Sequence, residues 1–585
     1  MSSPPVGLNT IEPETLAEHG FIELLDGGNR FISRELWMER SQSVVIATEI
    51  RQALKAAGVS SSSQRNFLPV TKLGEIINHS DISKLINALK SCSDLSPSEM
   101  KQLVNKICFV KDNPPCSAYK RIVTALIKNE REEDIRSVVE ESFSDDYLTT
   151  GCFSDHFLLR DQETGRVCQT MQKWNLETRK KFRKSIDKFN APVFMRPSDP
   201  GVYHYVLDDR VVLPFEIIPS AHGANGDTIY QLSRGGNGSD NQGGFSHIKC
   251  VKIHADHHRF GTYDVPHEDG FFAVKTLNSK ERDEFDKEVK VMLRFTHRTD
   301  KQLVKLLATY EQQEEDGIRY HLIFPWATCN VKTLWRELRP IDRRDLSLIR
   351  WISSQLFAVG ESLAYLHDEY AMNPSLDRKE VWGRHGDIKA SNFLVFKDPS
   401  HKSSRGSIFM ADFGLSRFHR LHSRSQVKPD QASGSKRAPE SDTTGGTFSR
   451  KSDIWTLGVF FLEFVMWYLM GYDVVCDDFP AARDEEDLGG IVTDTLFRIR
   501  EEENVRTATV KPQVTKWIKD LHGSADATHY VHDLLNLIEE KMLVIAKDSR
   551  IKAIDLKSKL DVMRKKCMDD EKYITQSCGC EKTAN

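Results

Sequence analysis

The chain has 585 residues, 28% charged and 39% hydrophobic, which is too long for one compact core and excludes a single small module. With 81 basic against 85 acidic side chains the formal net charge is -4, which argues against a globally electrostatic binder of nucleic acid or membrane. The composition is that of a mainly folded protein of two or three domains.

The opening MSSPPVGLNT has neither the basic flank nor the apolar run of a secretory signal, and no lipid anchor is readable. The eleven cysteines are scattered and odd in number, so a reducing setting is expected. These features predict a soluble intracellular protein of cytoplasm or nucleus, with no nucleic-acid partner and no membrane insertion. The most apolar stretch, 459–475, carries Glu463 inside it and reads as a buried helix rather than a span.

In chain order, residues 1–29 read as a flexible tail. Residues 30–150 read as an all-helical domain, with amphipathic segments such as SVVIATEIRQALKAAG and SAYKRIVTALIKN. One helix start is well marked: Ser96 as N-cap, Pro97 at the first helical position, and Glu99 placed to answer the cap's amide. This domain carries no recognisable chemistry and suits regulation or a protein partner. Residues 151–214 read as a linker packing on the C-terminal half of the chain, with ETRKKFRKSIDKF as a solvated basic helix face and Pro192, Pro197 and Pro200 breaking any helix. From Phe215 short β-type runs, IKCVKI and FFAVKTL, alternate with Gly, His and Asp clusters, as in an antiparallel sheet. After Thr333 the pattern is helical. His254, Asp256, His257 and His258 are spaced for a turn rather than for tetrahedral ligation, so no zinc is expected.

The informative segment is HGDIKASNFLVF, with His385, Gly386, Asp387, Lys389 and Asn392, followed by MADFGLS with Asp412, Phe413 and Gly414. Upstream stand Lys275 in FFAVKTL and Glu288 thirteen residues later; downstream stand Ala438-Pro439-Glu440, Asp453 in KSDIWTLGV, and Arg550 in KDSRIKA. In order and spacing this set resembles the eukaryotic protein kinase superfamily, most closely fungal protein kinase-like proteins with a long helical leader and a GRHGD-type loop (Gly383 to Asp387). The resemblance implies an α+β bilobal fold, with a small antiparallel β lobe plus one helix at 215–329, a large mostly helical lobe at 330–568, and a flexible tail at 569–585.

It also implies roles. Lys275 would reach the α- and β-phosphates of ATP and be held by Glu288. Asp412 and Asn392 would bind Mg²⁺, which suits hard oxygen ligands. Asp387 would orient the attacking hydroxyl and take its proton, and Lys389 marks Ser/Thr rather than Tyr acceptors, with Ser433 where a Thr usually touches that pair. Ile248, Ala273 and Leu394 would sandwich adenine, with Phe324 behind it and Ala327 bonding at the hinge beside Pro325. Met292, His385 and Phe413 would stack across the lobes.

Two departures stand out. The Gly-rich loop aligns as Gly243, Gly244, Phe245 and Ser246 with Asn241 and Ser246 at glycine places, and Gly386 replaces the Arg that usually answers an activation-loop phosphate. The segment 412–440 is basic, with Ser423, Ser425 and Ser435 as candidate autophosphorylation sites. The expectation is an ATP- and Mg²⁺-dependent protein Ser/Thr kinase. The rivals are a catalytically weak pseudokinase acting as a binding module and, last, a small-molecule kinase, disfavoured by the Ala-Pro-Glu element and long activation segment.

Overall fold

The computed structural model describes residues 34–108, 119–148, 151–197, 201–217, 246–261, 270–293, 301–314, 317–338, 345–368, 384–397, 405–412, 435–443, 449–488 and 490–577. They fall into two compact units. One is Met1–Val193 with Val206–Ile218 and Lys252–His258, and the other is Phe194–Tyr205 with Pro219–Val251 and Arg259–Asn585.

The first unit is built on helices Arg34–Ala56, Val70–Ile76, His79–Ala88, Pro97–Cys108, Lys120–Lys128 and Leu176–Phe189. Apolar residues at helical spacing supply its core, among them Ile82, Leu85, Ile86, Val104, Ile107, Ile122 and Leu126. The capping box at Ser96 is formed, with Ser96 N donating to Glu99 Oε2 at 2.8 Å and Glu99 N to Ser96 Oγ at 3.3 Å.

The segment expected as a linker packed on the C-terminal half belongs instead to this unit up to Val193. Helix Leu176–Phe189 starts on Asn175, whose side chain accepts from Thr178 N at 2.9 Å. It buries Phe182, Ile186 and Phe189 in the helical core. Spaced 4 and 3 residues apart, they make one apolar stripe that the lysines and arginines of the other faces outnumber in sequence. The boundary at 215 also shifts. Phe215–Glu216 pairs antiparallel with Lys252–Ile253 inside the first unit. His204, by contrast, belongs to the second, where its ring bonds Thr309 Oγ1 and Glu311 Oε2 at 3.0 Å each.

The histidine cluster forms a 3-10 turn, Ala255–His257. His254 Nδ1 accepts from Asp256 N at 3.2 Å, and buried His257 donates from Nδ1 to Pro192 O at 2.9 Å while packing edge-on to Phe67. Among the described residues no three His, Cys, Asp or Glu side chains gather in one group. Burial pulls the His257 pKa down to about 4. Its folded pKa therefore lies below the unfolded value of about 6.5, so the unfolded chain binds more protons in between and stability falls as pH drops. Lowering the pH from 7 to 4 is expected to remove about 3 kcal/mol through this residue. Chemical denaturation of His257→Gln across that range should show a correspondingly shallower loss.

In the second unit strands Ala308–Glu314, Gly317–Pro325 and Phe271–Leu277 pair in that order, with residues 204–205 outside the first and residues 246–251 outside the last. Helix Arg282–Leu293 packs Phe285 and Met292 against Leu277, Leu306, Tyr320 and Leu322. The larger core is organised by helix Arg450–Met470, which alone among the described residues is long and apolar enough to cross a membrane, and 89% of that apolar window is buried by its neighbours. Trp455, Phe460 and Phe464 on it share one core with Phe393, Leu356, Leu534 and Leu556. Gly458 allows a close approach on this helix, since a Cβ there would lie 2.9 Å from Met542 Cβ.

Candidate active site

Strand Phe271–Leu277 is paired in register with Gly317–Pro325, setting Lys275 opposite Leu322 and Ala273 opposite Phe324. Lys275 is buried, and its Nζ donates to Glu288 Oε1 at 3.1 Å and to Asp412 Oδ1 at 2.8 Å. One cation thus ties the strand, helix Arg282–Leu293 and the segment after strand Ser407–Met410. Burial alone would lower the lysine's pKa, but Asp412 and Glu288 outweigh it and hold the ammonium charged. Burial likewise opposes ionisation of Asp412, and Lys275 overcomes it, leaving that carboxylate below its ordinary range. Glu288, deeper and sharing the cation, is pushed up by burial.

The catalytic-type loop is aimed from below by Asp453 on helix Arg450–Met470. His385 N donates to Asp453 Oδ2 at 2.9 Å, Gly386 N to Oδ1 at 2.8 Å, and the His367 ring meets Oδ2 at 3.0 Å. Gly386 sits at φ +81°, where glycine carries no Cβ penalty. Lys389 Nζ and Asn392 Nδ2 both reach Asp387 Oδ2, each at 2.9 Å, and Asn392 Nδ2 also donates to Asp387 O. Among the described residues these contacts reach Oδ2 and not Oδ1 of Asp387. Ala411 joins the two loops, its N donating to Asn392 O at 2.9 Å and its O facing His385 Nε2 at 3.0 Å. Asp412 itself adopts φ +66°, a strained conformation for a residue with a Cβ.

Nδ2 of Asn392 is bonded to Asp387, which leaves its side-chain oxygen as a candidate ligand together with the Asp412 carboxylate, on loops joined by the Ala411 N to Asn392 O bond. Two hard oxygen donors of this kind fit Mg²⁺ better than a soft metal.

Phe324, Ala327 and Leu394 pack together with Val304, Phe396 and Phe409. Pro325 ends its strand opposite Phe272. Ile248 is 54% exposed on the neighbouring strand, which Ser246 begins. Gly243, Gly244, Phe245, Phe413, Ser423, Ser425 and Ser433 lie outside the described residues. Met292 is buried in the small-lobe core, and His385 is buried with its pKa lowered by loss of solvation.

Sequence reasoning missed His367, whose only signal was a histidine closing the last turn of an apolar helix, Leu346–Asp368. It also missed the ion pair of Lys436 with buried Glu463, and the direct pairing of Arg550 with Glu440 at 2.7 Å, although each member of the latter pair was singled out.

The protein kinase domain family model matches residues 263–551. Among curated proteins the chain is similar to Cysteine-rich receptor-like protein kinase 37 of Arabidopsis thaliana, 30% identical over 183 residues, or 31% of this chain and 24% of that protein. It is similar also to the putative cysteine-rich receptor-like protein kinase 32 of the same plant, 28% identical over 199 residues, or 33% of this chain and 27% of that protein. The chain thus spans about a quarter of the length of these relatives. A lysine clamped by two carboxylates, an aspartate loop hung from a core helix and a matching family model agree, and together they support a protein kinase domain over residues 263–551.

Proposed function

We propose that the chain transfers the γ-phosphoryl group of ATP to Ser or Thr hydroxyls of protein substrates. The observation that carries this reading is the convergence of Lys275, Glu288 and Asp412 with the Asp387, Lys389 and Asn392 loop. Lys275 supplies a fixed positive charge for the α- and β-phosphates, kept in place by Glu288. Asp387 Oδ1 accepts the substrate hydroxyl, aligns its oxygen with the γ-phosphorus and takes the proton as the O–P bond forms and ADP leaves. Lys389, which acts electrostatically on Asp412 as well as pairing with Asp387, offsets charge on the transferred group. Mg²⁺, when held by Asp412 and Asn392, would neutralise phosphate-oxygen charge. The Ser/Thr preference is supported by Lys389, two residues beyond Asp387. We read the first unit as a regulatory or partner-binding module and the chain as an intracellular kinase of the fungal type.

The test is transfer from γ-labelled ATP to the full chain and to a generic basic protein, followed by phosphoamino-acid analysis. Label on Ser and Thr, lost on chelation of Mg²⁺ and restored by adding it back, is the expected result. Label on Tyr overturns the acceptor assignment. ATP binding without transfer makes the domain a nucleotide-binding module instead.

A further inference from the structure

Residues 471–510, between helices Arg450–Met470 and Pro512–His522, carry eleven acidic side chains against four basic, a net charge of -7 in a chain whose total is -4. Three of the four arginines are spent inside the segment, Arg483 on Asp494, Arg498 on Glu485 and Arg506 on Glu501. The acidic excess stands on the solvent side, where Asp484, Glu486, Glu502 and Glu503 are exposed.

The same segment keeps large apolar side chains out of the core. Leu488 is 55% exposed, Ile491 51% and Val492 61%. All three belong to one hairpin, in which Glu485–Glu486 pairs antiparallel with Val492–Thr493 and Glu486 lies directly opposite Val492, on the same face. The tip is closed by bonds from Asp487 N to Ile491 O at 2.9 Å, from Gly490 N to Asp487 O at 3.0 Å and from Ile491 N to Asp487 Oδ1 at 3.0 Å. The base is fixed by buried Lys511, whose Nζ donates to Arg483 O at 2.7 Å and to Thr493 O at 2.9 Å. A hydrogen-bonded arm thus presents the three apolar side chains to solvent. Three within five residues, rimmed by acids, differ from the scattered single apolar residues of an ordinary surface.

We propose that this hairpin is a docking arm for protein substrates, taking a segment in which lysines or arginines flank apolar residues. That the partner is a substrate rests on the phosphoryl-transfer reading, and none of the residues assigned to that chemistry lies on the arm. The apolar residues of the partner cover Leu488, Ile491 and Val492, while its cations meet Glu486 beside Val492 and Asp484 at the base. Charge selects this occupant. The acids repel an anionic membrane surface, and a second copy would set one segment of net charge -7 against another.

Fluorescence anisotropy of a labelled peptide of lysines and leucines, measured on the full chain without nucleotide, should show saturable binding that weakens with salt. Serine in place of the peptide's leucines, or Leu488→Ser with Val492→Ser in the protein, should each cost about tenfold in affinity. Asp484→Lys with Glu486→Lys should abolish binding of that peptide and create binding of one made of glutamates and leucines. All four positions are exposed, so thermal unfolding should not change. With ATP present, joining the lysine–leucine segment to an acceptor peptide should lower its KM on the parent and not on either double variant, with kcat unchanged. A parent that does not bind, a serine peptide that binds equally, variants that bind as the parent does, or a KM indifferent to the segment would overturn the proposal. Capture of anionic vesicles, lost in the same variants, would assign the arm to a membrane and overturn it as well. Peptide binding without any transfer would overturn the kinase reading and uphold the docking surface.

Discussion

Asp387→Asn is expected to lower the rate of phosphoryl transfer by about 10²- to 10⁴-fold while leaving ATP affinity and thermal stability near those of the parent. The replacement is isosteric, and its oxygen can still accept from Asn392 Nδ2, which lies 2.9 Å from Asp387 Oδ2. What it loses is the carboxylate that accepts the hydroxyl proton. Because the side chain is partly exposed, its pairing with Lys389 contributes at most about 1 kcal/mol. Lys275→Met should separate differently. It leaves buried Glu288 and half-buried Asp412 without the cation they share, so nucleotide affinity and transfer should fall together. Stopped-flow nucleotide binding alongside single-turnover transfer distinguishes the two. An Asp387→Asn variant that transfers at parental rate would remove Asp387 from the chemistry.

The largest stability change is expected at Arg550. Its guanidinium is fully buried and donates to Glu440 Oε1 and Oε2 at 2.9 and 2.7 Å, to Lys451 O at 2.9 Å and to Val544 O at 2.7 Å, over the Trp455 ring at 5.1 Å. Burial would raise the Glu440 pKa, but Arg550 and Ser452 hold it low, so the carboxylate is ionised inside the lobe. Arg550→Leu leaves that charge with Ser452 Oγ as its side-chain donor among the described residues, at 2.6 Å, and takes a donor from the Lys451 and Val544 carbonyls. Removing one partner of such a pair costs about 3 to 5 kcal/mol, on the order of a 10 °C fall in Tm for a domain of this size. Adding Glu440→Gln removes the stranded charge and should recover part of the loss. Differential scanning calorimetry of parent, single and double variants measures both steps, and a single variant melting within about 2 °C of the parent would refute the estimate.

Much of the site is encoded by local spacing. Lys275 and Glu288 are thirteen residues apart because one strand end and one helix face lie between them, and Asp387 and Asn392 share a single short loop. Patterns of that length are legible in a sequence. The contact of Lys275 with Asp412 crosses 137 positions, and that of Glu440 with Arg550 crosses 110, so each residue could be singled out there without its partner. The fold shows the same limit. Helical periodicity marked the first unit, but not that Leu176–Phe189 belongs to it, since a three-residue apolar stripe does not say which core it enters. The interleaving of His204 with the second unit and of Lys252–His258 with the first depends on strand pairing between distant segments, which alternation of residue types does not specify.

Asp453 grips the loop through the amides of residues 385 and 386. An amide is carried by nineteen of the twenty amino acids, so the bonds that hang the loop do not depend on which side chain stands at position 386. The left-handed backbone there charges a residue with a Cβ about 1 kcal/mol, a cost the rest of the lobe can absorb. On the proposed function, mutation at that position could vary how the kinase is switched on without loosening the loop that carries Asp387, and a screen of substitutions at Gly386 should sort variants by regulation rather than by survival of the fold.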